Sequence, residues 1–267
     1  MRPQAGFVPH VTTLGQGQRR VLALHCTLAF GSAWTGVAKN LSPEVTIVAP
    51  DMPSHGQSVD WDESSDFSAT VFNAALSTSG DEPIDIIGHS FGAMIALRLA
   101  ATLPDQIRSL TLIEPVFLAV ASRDAPDTMR DHDERAAPFV EAIAASNRPL
   151  AARVFNRMWS GGTPWDDIPE RSRAAMIRAI HVVPDTVGFI YEDNAGLLRP
   201  GVLDAVRMPT LLMRGSQALP AISAINDGLE RRLPNASQIV IEGAGHMAPI
   251  THPNEVASAI GDLLERS

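Results

Sequence analysis

The sequence predicts an α/β fold: a mostly parallel sheet with helices on both faces, interrupted once by a helical insertion. Three observations carry this reading of the 267 residues. From residue 1 to about 117, short apolar, β-branched runs alternate with helical patterns, and such alternation needs crossover connections between parallel strands. From about 118 to 199 the strand signals vanish and helical spacings replace them. After Pro200-Gly201 the alternation resumes. The expected organisation is one core domain built from residues 1–117 and 200–267, carrying residues 118–199 as an inserted helical unit.

Taken in order, strands are expected at Phe7–Leu14, Val21–His25, Val45–Ala49, Ile84–Ile87 and Ile107–Ile113, with helices around Ala33–Asn40, Phe67–Ser77 and Gly92–Leu103. The run before the elbow, Ile84–Ile87, is short, apolar and β-branched, as a strand buried on both faces requires. The helix after residue 92 is rich in strong helix formers and is stopped at Pro104. In the insertion, helical stripes are read at Ala136, Val140, Ile143 and Ala144, at Leu150, Val154 and Met158, and at Met176, Ala179, Ile180 and Val183, with breaks at Gly161-Gly162-Thr163-Pro164 and Pro184. Strands at Thr210–Met213 and Gln238–Ile241 and helices around Ala221–Leu233 and Asn254–Leu264 complete the chain. There is no internal repeat or low-complexity tract.

The most informative segment is Gly88-His89-Ser90-Phe91-Gly92, placed where a buried strand gives way to a helix. A serine on so tight a turn is forced into a strained conformation with its hydroxyl thrust outward. Flanking glycines are needed because a Cβ at either place would meet the neighbouring chain. The helix start adds unpaired N–H groups and the positive end of a dipole. Ser90 is therefore the candidate nucleophile, weighed against a plain Gly/Ser linker.

A nucleophilic serine needs a base. Among eight histidines, His246 is the best placed: it follows the strand run Gln238–Ile241 in the loop Gly243-Ala244-Gly245-His246, whose glycines let the backbone carry an imidazole across the top of a sheet. His89 should point away from Ser90. His25 is read as a loop-shaping residue, His252 as marking the last helix, and His132 as part of a solvated acidic run rather than a metal ligand.

The acid is harder. The loop after Thr210–Met213 reads Gly215-Ser216-Gln217-Ala218-Leu219-Pro220 and has no carboxylate, and Asp227 lies within a helical pattern too far along. Glu114 stands at the carboxyl end of Ile107–Ile113, beside the strand of Ser90, and is the candidate partner for the far nitrogen of His246. The alternative is a helix cap or an arginine partner. For an oxyanion, the backbone N–H of Phe91 is one expected donor, and the loop after Val21–His25 supplies another: Thr27, with Leu28 the open alternative.

Together these residues resemble the α/β-hydrolases of the capped serine esterase, C–C hydrolase and haloperoxidase-like type. His25-Cys26 is similar to that family's His-Gly, with Cys replacing Gly, and Asp51-Met52-Pro53-Ser54-His55-Gly56-Gln57-Ser58 resembles its Asp-x-Pro-Gly-His-Gly-x-Ser loop, with Ser54 replacing a Gly. The elbow at Gly88–Gly92 and the histidine loop at Gly243–His246 extend the match to nearly the whole chain. The resemblance implies a sheet of the eight-stranded type with a helical cap after its sixth strand. It also implies a serine hydrolase acting on a small or medium ester through Ser90, His246 and Glu114 and an acyl-enzyme. The missing acid near Ala218 and the side chain of Cys26 are its departures from the family pattern. C–C bond hydrolysis or perhydrolysis with the same triad, and a non-catalytic small-molecule-binding role, are the alternatives.

Global properties fit this reading. Hydrophobic residues make up 45% and charged residues 19%, as in globular proteins generally. The single cysteine allows no internal disulfide, so cytoplasm is the default location. No apolar stretch approaches the ~20 residues that span a bilayer, and a net charge of −9 disfavours nucleic acid or an anionic membrane as partner. The expected partner is a small-molecule substrate, with no cofactor and no metal ion. Oligomeric state is not legible here. Phe155, Trp159, Trp165 and Phe189 are candidates either for lining a pocket beneath the insertion or for packing within it.

Overall fold

The computed structural model describes residues 6–159 and 163–267; the expected break at Gly161 and Gly162 lies outside the described residues. Seven strands form one sheet among the described residues: β1 (Val11–Leu14), β2 (Arg19–Leu24), β3 (Val45–Pro50), β4 (Ile84–His89), β5 (Ile107–Ile113), β6 (Thr210–Gly215) and β7 (Ala236–Ile241). Their order is β1-β3-β2-β4-β5-β6-β7. Only β1 runs antiparallel to its neighbour; every other pair is parallel. The architecture is the mostly parallel, doubly covered sheet that the sequence implied, with seven strands among the described residues where the resemblance implied eight, so the helical span follows the fifth strand and not the sixth.

The helices are α1 (Thr35–Ala38), α2 (Phe67–Ser79), α3 (Phe91–Thr102), α4 (Leu118–Asp124), α5 (Pro126–Ala144), α6 (Arg148–Trp159), α7 (Glu170–Ala179), α8 (Val187–Ile190), α9 (Pro220–Glu230), α10 (Ala248–Thr251) and α11 (Pro253–Leu264). One face of the sheet packs on α2, α3, α4 and α9, and the other on α1 and α11. The strands are accordingly apolar on both faces. Ile84, Ile86 and Ile87 of β4 are all buried, each contributing on the order of 1.5–3 kcal/mol of transfer free energy. Helix α3 is buried over most of its surface from Phe91 to Ala100, which explains why its sequence is apolar all round.

Two local departures from expectation have physical causes. The first strand begins at Val11 rather than Phe7. Pro9 has no N–H to donate, the His10 N–H donates to Ser58 Oγ (2.9 Å), and the His10 carbonyl accepts from the Asp51 N–H (2.8 Å). The helix expected at Ala33–Asn40 is a 3₁₀ turn over Gly31–Trp34 followed by the single-turn α1.

No strand lies between β5 and β6 among the described residues; helices occupy that span. Helix α4 packs on α9, where Asp124 pairs with Arg231 (2.7 Å) and Arg232 (2.6 Å). Helices α5, α6 and α7 stack on one another around a small cluster of Ala142, Ala151, Ala152 and Ile180, which also receives Leu28 from the loop after β2. Arg178 of α7 reaches back to Asp60 (2.7 Å) and the Ser58 carbonyl (2.7 Å), tying these helices to the loop after β3. Among the described residues no helix is long and apolar enough to cross a membrane.

The sheet order reverses between β2 and β4, because the chain leaves β2 toward β3 on one side and returns to β4 on the other. Ligands of open α/β sheets bind beyond the carboxyl ends of the strands at such a point. The loops carrying Thr27 and Ser90 flank it.

Candidate active site

Ser90 sits at φ 56°, ψ −117° between β4 and α3, a conformation that costs a non-glycine residue about 1–3 kcal/mol. Its N–H donates to the Ile113 carbonyl at 2.9 Å, so β5 holds the turn in place. The two elbow glycines are there for space. A Cβ on Gly88 would stand 2.5 Å from Ala93 Cα, and one on Gly92 would stand 2.3 Å from the Leu24 carbonyl oxygen. Ser90 is 6% exposed and opens onto the cavities described below.

Glu114 follows β5 at φ 49° and is fully buried. Its N–H donates to the Met213 carbonyl at 2.8 Å, which pins it beside β6. Both carboxylate oxygens are engaged: Oε1 accepts from the Gly215 N–H (2.7 Å), and Oε2 lies 3.0 Å from His246 Nδ1. The carboxylate can only accept, so Nδ1 carries the proton and Nε2 is left as a lone-pair acceptor. Gly215 lets the histidine loop pass close to β6, since a Cβ there would run into the Ala244 carbonyl. The loop that has no acid therefore serves the glutamate with a backbone donor. Asp227 is elsewhere, accepting from Gln238 at 3.1 Å.

Three further histidines hold the site's backbone. His89 Nε2 donates to the His246 carbonyl at 2.7 Å, turning away from Ser90. His25 Nδ1 donates to the Cys26 carbonyl (2.8 Å) while its Nε2 accepts the Met52 N–H (3.0 Å). His55 Nδ1 donates to the Pro53 carbonyl (2.8 Å) while its Nε2 accepts the Leu28 N–H (3.0 Å). Burial keeps all three neutral: it lowers His25, drives His89 well below the ordinary imidazole range and pushes His55 down to about 3. A neutral ring is what the two donor–acceptor bridges, those of His25 and His55, need. The Cys26 thiol is likewise buried and pushed up to about 12, so it packs as a small apolar group.

In the loop after β2, Leu28 has φ 67° and its N–H is committed to His55. Thr27 lines the space next to Ser90. Phe91 opens α3, where first-turn N–H groups have no acceptor within the helix.

A family model described as the alpha/beta hydrolase family matches residues 21–259. The chain belongs to this family. It is 32% identical over 271 residues to the lipase LipV of Mycobacterium tuberculosis, covering 96% of this chain and 97% of that one. It is 26% identical to the pimeloyl-[acyl-carrier protein] methyl ester esterase of Nitrosomonas europaea, covering 95% and 98%. Among solved structures, a hydrolase from Oleispira antarctica superposes with a TM-score of 0.72 at 16% identity, covering 97% of this chain and 95% of that one. The fold, the family and the enzyme class, a hydrolase, are thereby those that the sequence motifs implied.

In this α/β hydrolase two cavities meet at the elbow. One, of about 470 Å³, runs from Ser90 and Phe91 under α5, α6 and α8. The other, of about 340 Å³, is bounded by the loop after β2, by His246 and by α6 and α7. Thr27, Ser90, Phe155 and Trp159 border both. The Trp159 ring centroid lies 4.5 Å from that of His246, so this indole forms a wall beside the imidazole. Phe189, by contrast, is buried edge-on against Phe91 (6.1 Å), and Trp165 packs in the small helical cluster.

Sequence reasoning missed His132. Read as part of a solvated acidic run, it is 4% exposed and lines the larger cavity. A signal was present: Met129, His132, Ala136, Phe139 and Ile143 fall on one stripe of α5 at spacings of three and four. The motif loop and the elbow marked where His55 and His89 lie but not what they bond, because both hydrogen bonds depend on contacts made across strand ends.

Proposed function

We propose that this α/β hydrolase cleaves small or medium carboxylic esters through a Ser90–His246–Glu114 triad, with the Thr27 and Phe91 amides holding the oxyanion. The observation that carries the reading is the Glu114 Oε2–His246 Nδ1 contact of 3.0 Å, with Ser90 on a strained elbow bordering the same cavity as His246. Residues 118–199 act as the cap that covers the site.

In the first step Ser90 Oγ bonds to the ester carbonyl carbon while His246 Nε2 takes the hydroxyl proton. Glu114 stabilises the resulting imidazolium. The carbonyl oxygen, now negative, is held by N–H groups, each contributing about 3 kcal/mol to the transition state. Thr27 is favoured over Leu28 as the second donor because the Leu28 N–H is already spent on His55. The bond to the alkoxy oxygen then breaks, and His246 gives the proton to the departing alcohol. Water, deprotonated by the same imidazole, attacks the acyl-enzyme and releases the acid. Because the leaving oxygen must be within reach of His246, the alcohol belongs in the 340 Å³ cavity that His246 borders. The acyl group then fills the 470 Å³ cavity.

The names of the relatives, a lipase and a methyl ester esterase, are in keeping with ester chemistry. Turnover of p-nitrophenyl esters of graded acyl length tests the reading. Hydrolysis with a length optimum, abolished in Ser90→Ala, is the expected result. No turnover by folded protein of any ester in the series refutes it.

A further inference from the structure

Leu28 holds a backbone conformation that leucines rarely adopt. Cys26 to Ala29 form a β-turn closed by the Ala29 N–H and the Cys26 carbonyl (3.1 Å), and Leu28, its third residue, has φ 67°. A type II turn requires that sign of φ there and usually meets it with glycine or asparagine. A leucine keeps such a conformation only where its surroundings over-determine it.

Those surroundings come from the cap. The Leu28 side chain packs against a cluster of Ala142 of α5, Ala151 and Ala152 of α6, and Ile180, all buried. Its N–H donates to His55 Nε2 at 3.0 Å. The loop that carries His55 is itself tied to the cap, where Arg178 of α7 donates to the Gly56 (3.2 Å) and Ser58 (2.7 Å) carbonyls. Because His55 Nδ1 is spent as a donor on the Pro53 carbonyl, Nε2 has only a lone pair to offer. Reversing the Thr27–Leu28 peptide would turn the Thr27 carbonyl oxygen onto that lone pair. Relief of the positive φ therefore requires the turn to open, which would shift Thr27 and draw the leucine out of the cap.

We propose that Leu28 is a positioning residue: its anchorage in the cap holds the turn closed and thereby aims the Thr27 N–H at the oxyanion. This rests on the esterase reading and on Thr27 as its second donor. A cap that only covers the site changes how esters bind, whereas a cap that sets this turn acts on the chemical step.

The test separates backbone conformation from side chain. Leu28→Ala removes the anchor and keeps the penalty for positive φ, while Leu28→Gly removes both. Initial rates on p-nitrophenyl acetate, chosen for its small acyl group, give kcat and KM, with melting curves in parallel. Loss of one oxyanion donor costs about 10²–10³ in kcat, so Leu28→Ala should lose roughly tenfold or more in kcat with KM little changed. Leu28→Gly should return kcat to near the wild-type value although it leaves the larger void, and Leu28→Met, which refills the cluster, should do the same. Leu28→Asn and Leu28→Thr give a second pair without the anchor: asparagine tolerates positive φ and β-branched threonine does not, so kcat should be roughly fivefold or more higher in the Asn variant. A residue that merely packs, or merely lines the smaller cavity, would leave Leu28→Gly no better than Leu28→Ala. That result, an unchanged kcat in folded Leu28→Ala, or equal kcat in the Asn and Thr variants overturns the positioning role. A wild type that hydrolyses no ester would instead strike at the esterase reading itself.

Discussion

Glu114→Gln separates the triad assignment from every structural role the residue could have. The substitution keeps shape and volume, yet neither orientation of the amide can satisfy the two partners. With its NH₂ toward Gly215, two donors face each other across the 2.7 Å contact. With its NH₂ toward His246, Nδ1 must become the acceptor and the proton moves to Nε2, the nitrogen that has to receive the Ser90 proton. Either way the imidazolium loses its negative partner. Loss of tautomer and charge together in such a triad costs about 10⁴ in kcat, which corresponds to roughly 5.4 kcal/mol of transition-state stabilisation. Initial rates on the best p-nitrophenyl ester, with the melting curve followed in parallel, give the answer. The expected result is a loss of three to four orders of magnitude in kcat in a folded protein, with Asp227→Asn close to wild type. A folded Glu114→Gln protein within tenfold of wild type would refute the reasoning.

Three other expectations follow from the geometry. The folded state should weaken in mild acid: the buried His55 resists protonation until about pH 3, while its unfolded counterpart binds a proton below about 6.5, so stability falls as pH falls through this window. His55 alone should remove roughly 1.4 kcal/mol by pH 5.5, with His25 and His89 adding in the same direction, measurable as urea midpoints against pH. Asp85→Ala should destabilise by about 1–3 kcal/mol: it removes a fully buried carboxylate near the start of β4, away from Ser90, and leaves the partly exposed Arg19 and Arg108, each 2.8 Å from it, without that partner. Rates per folded molecule should not change. Gly92→Ala, whose added methyl would press on the Leu24 and His25 carbonyls, should cost about 3 kcal/mol or more or yield no folded protein.

The sequence was most readable where one principle acts alone. Buried parallel strands are apolar on both faces whatever surrounds them, so β5 was bounded as observed, and β4 and β6 differ from expectation by two residues at the carboxyl end. The elbow was legible because glycine is needed where backbones nearly touch. Legibility failed where tertiary contacts override the local pattern. His10 spends its backbone on a distant loop, which shortens β1. The chain from Ile180 to Thr186, where a stripe suggested α-helix, winds as a 3₁₀ helix around Pro184. His132 was hidden because three acidic neighbours in the sequence, Asp131, Asp133 and Glu134, point to solvent while it turns inward. Glu114 came forward as a candidate because the loop that lacks an acid left it as the nearest carboxylate at a neighbouring strand end, and the structure puts its Oε2 3.0 Å from His246 Nδ1.

Covalent labelling with a fluorophosphonate, followed by peptide mass spectrometry, tests the central claim most directly. The account predicts a single adduct on the peptide containing Ser90, absent in Ser90→Ala and much slowed in Glu114→Gln. A folded wild-type protein that takes up no label, or that carries it on another residue, would contradict it.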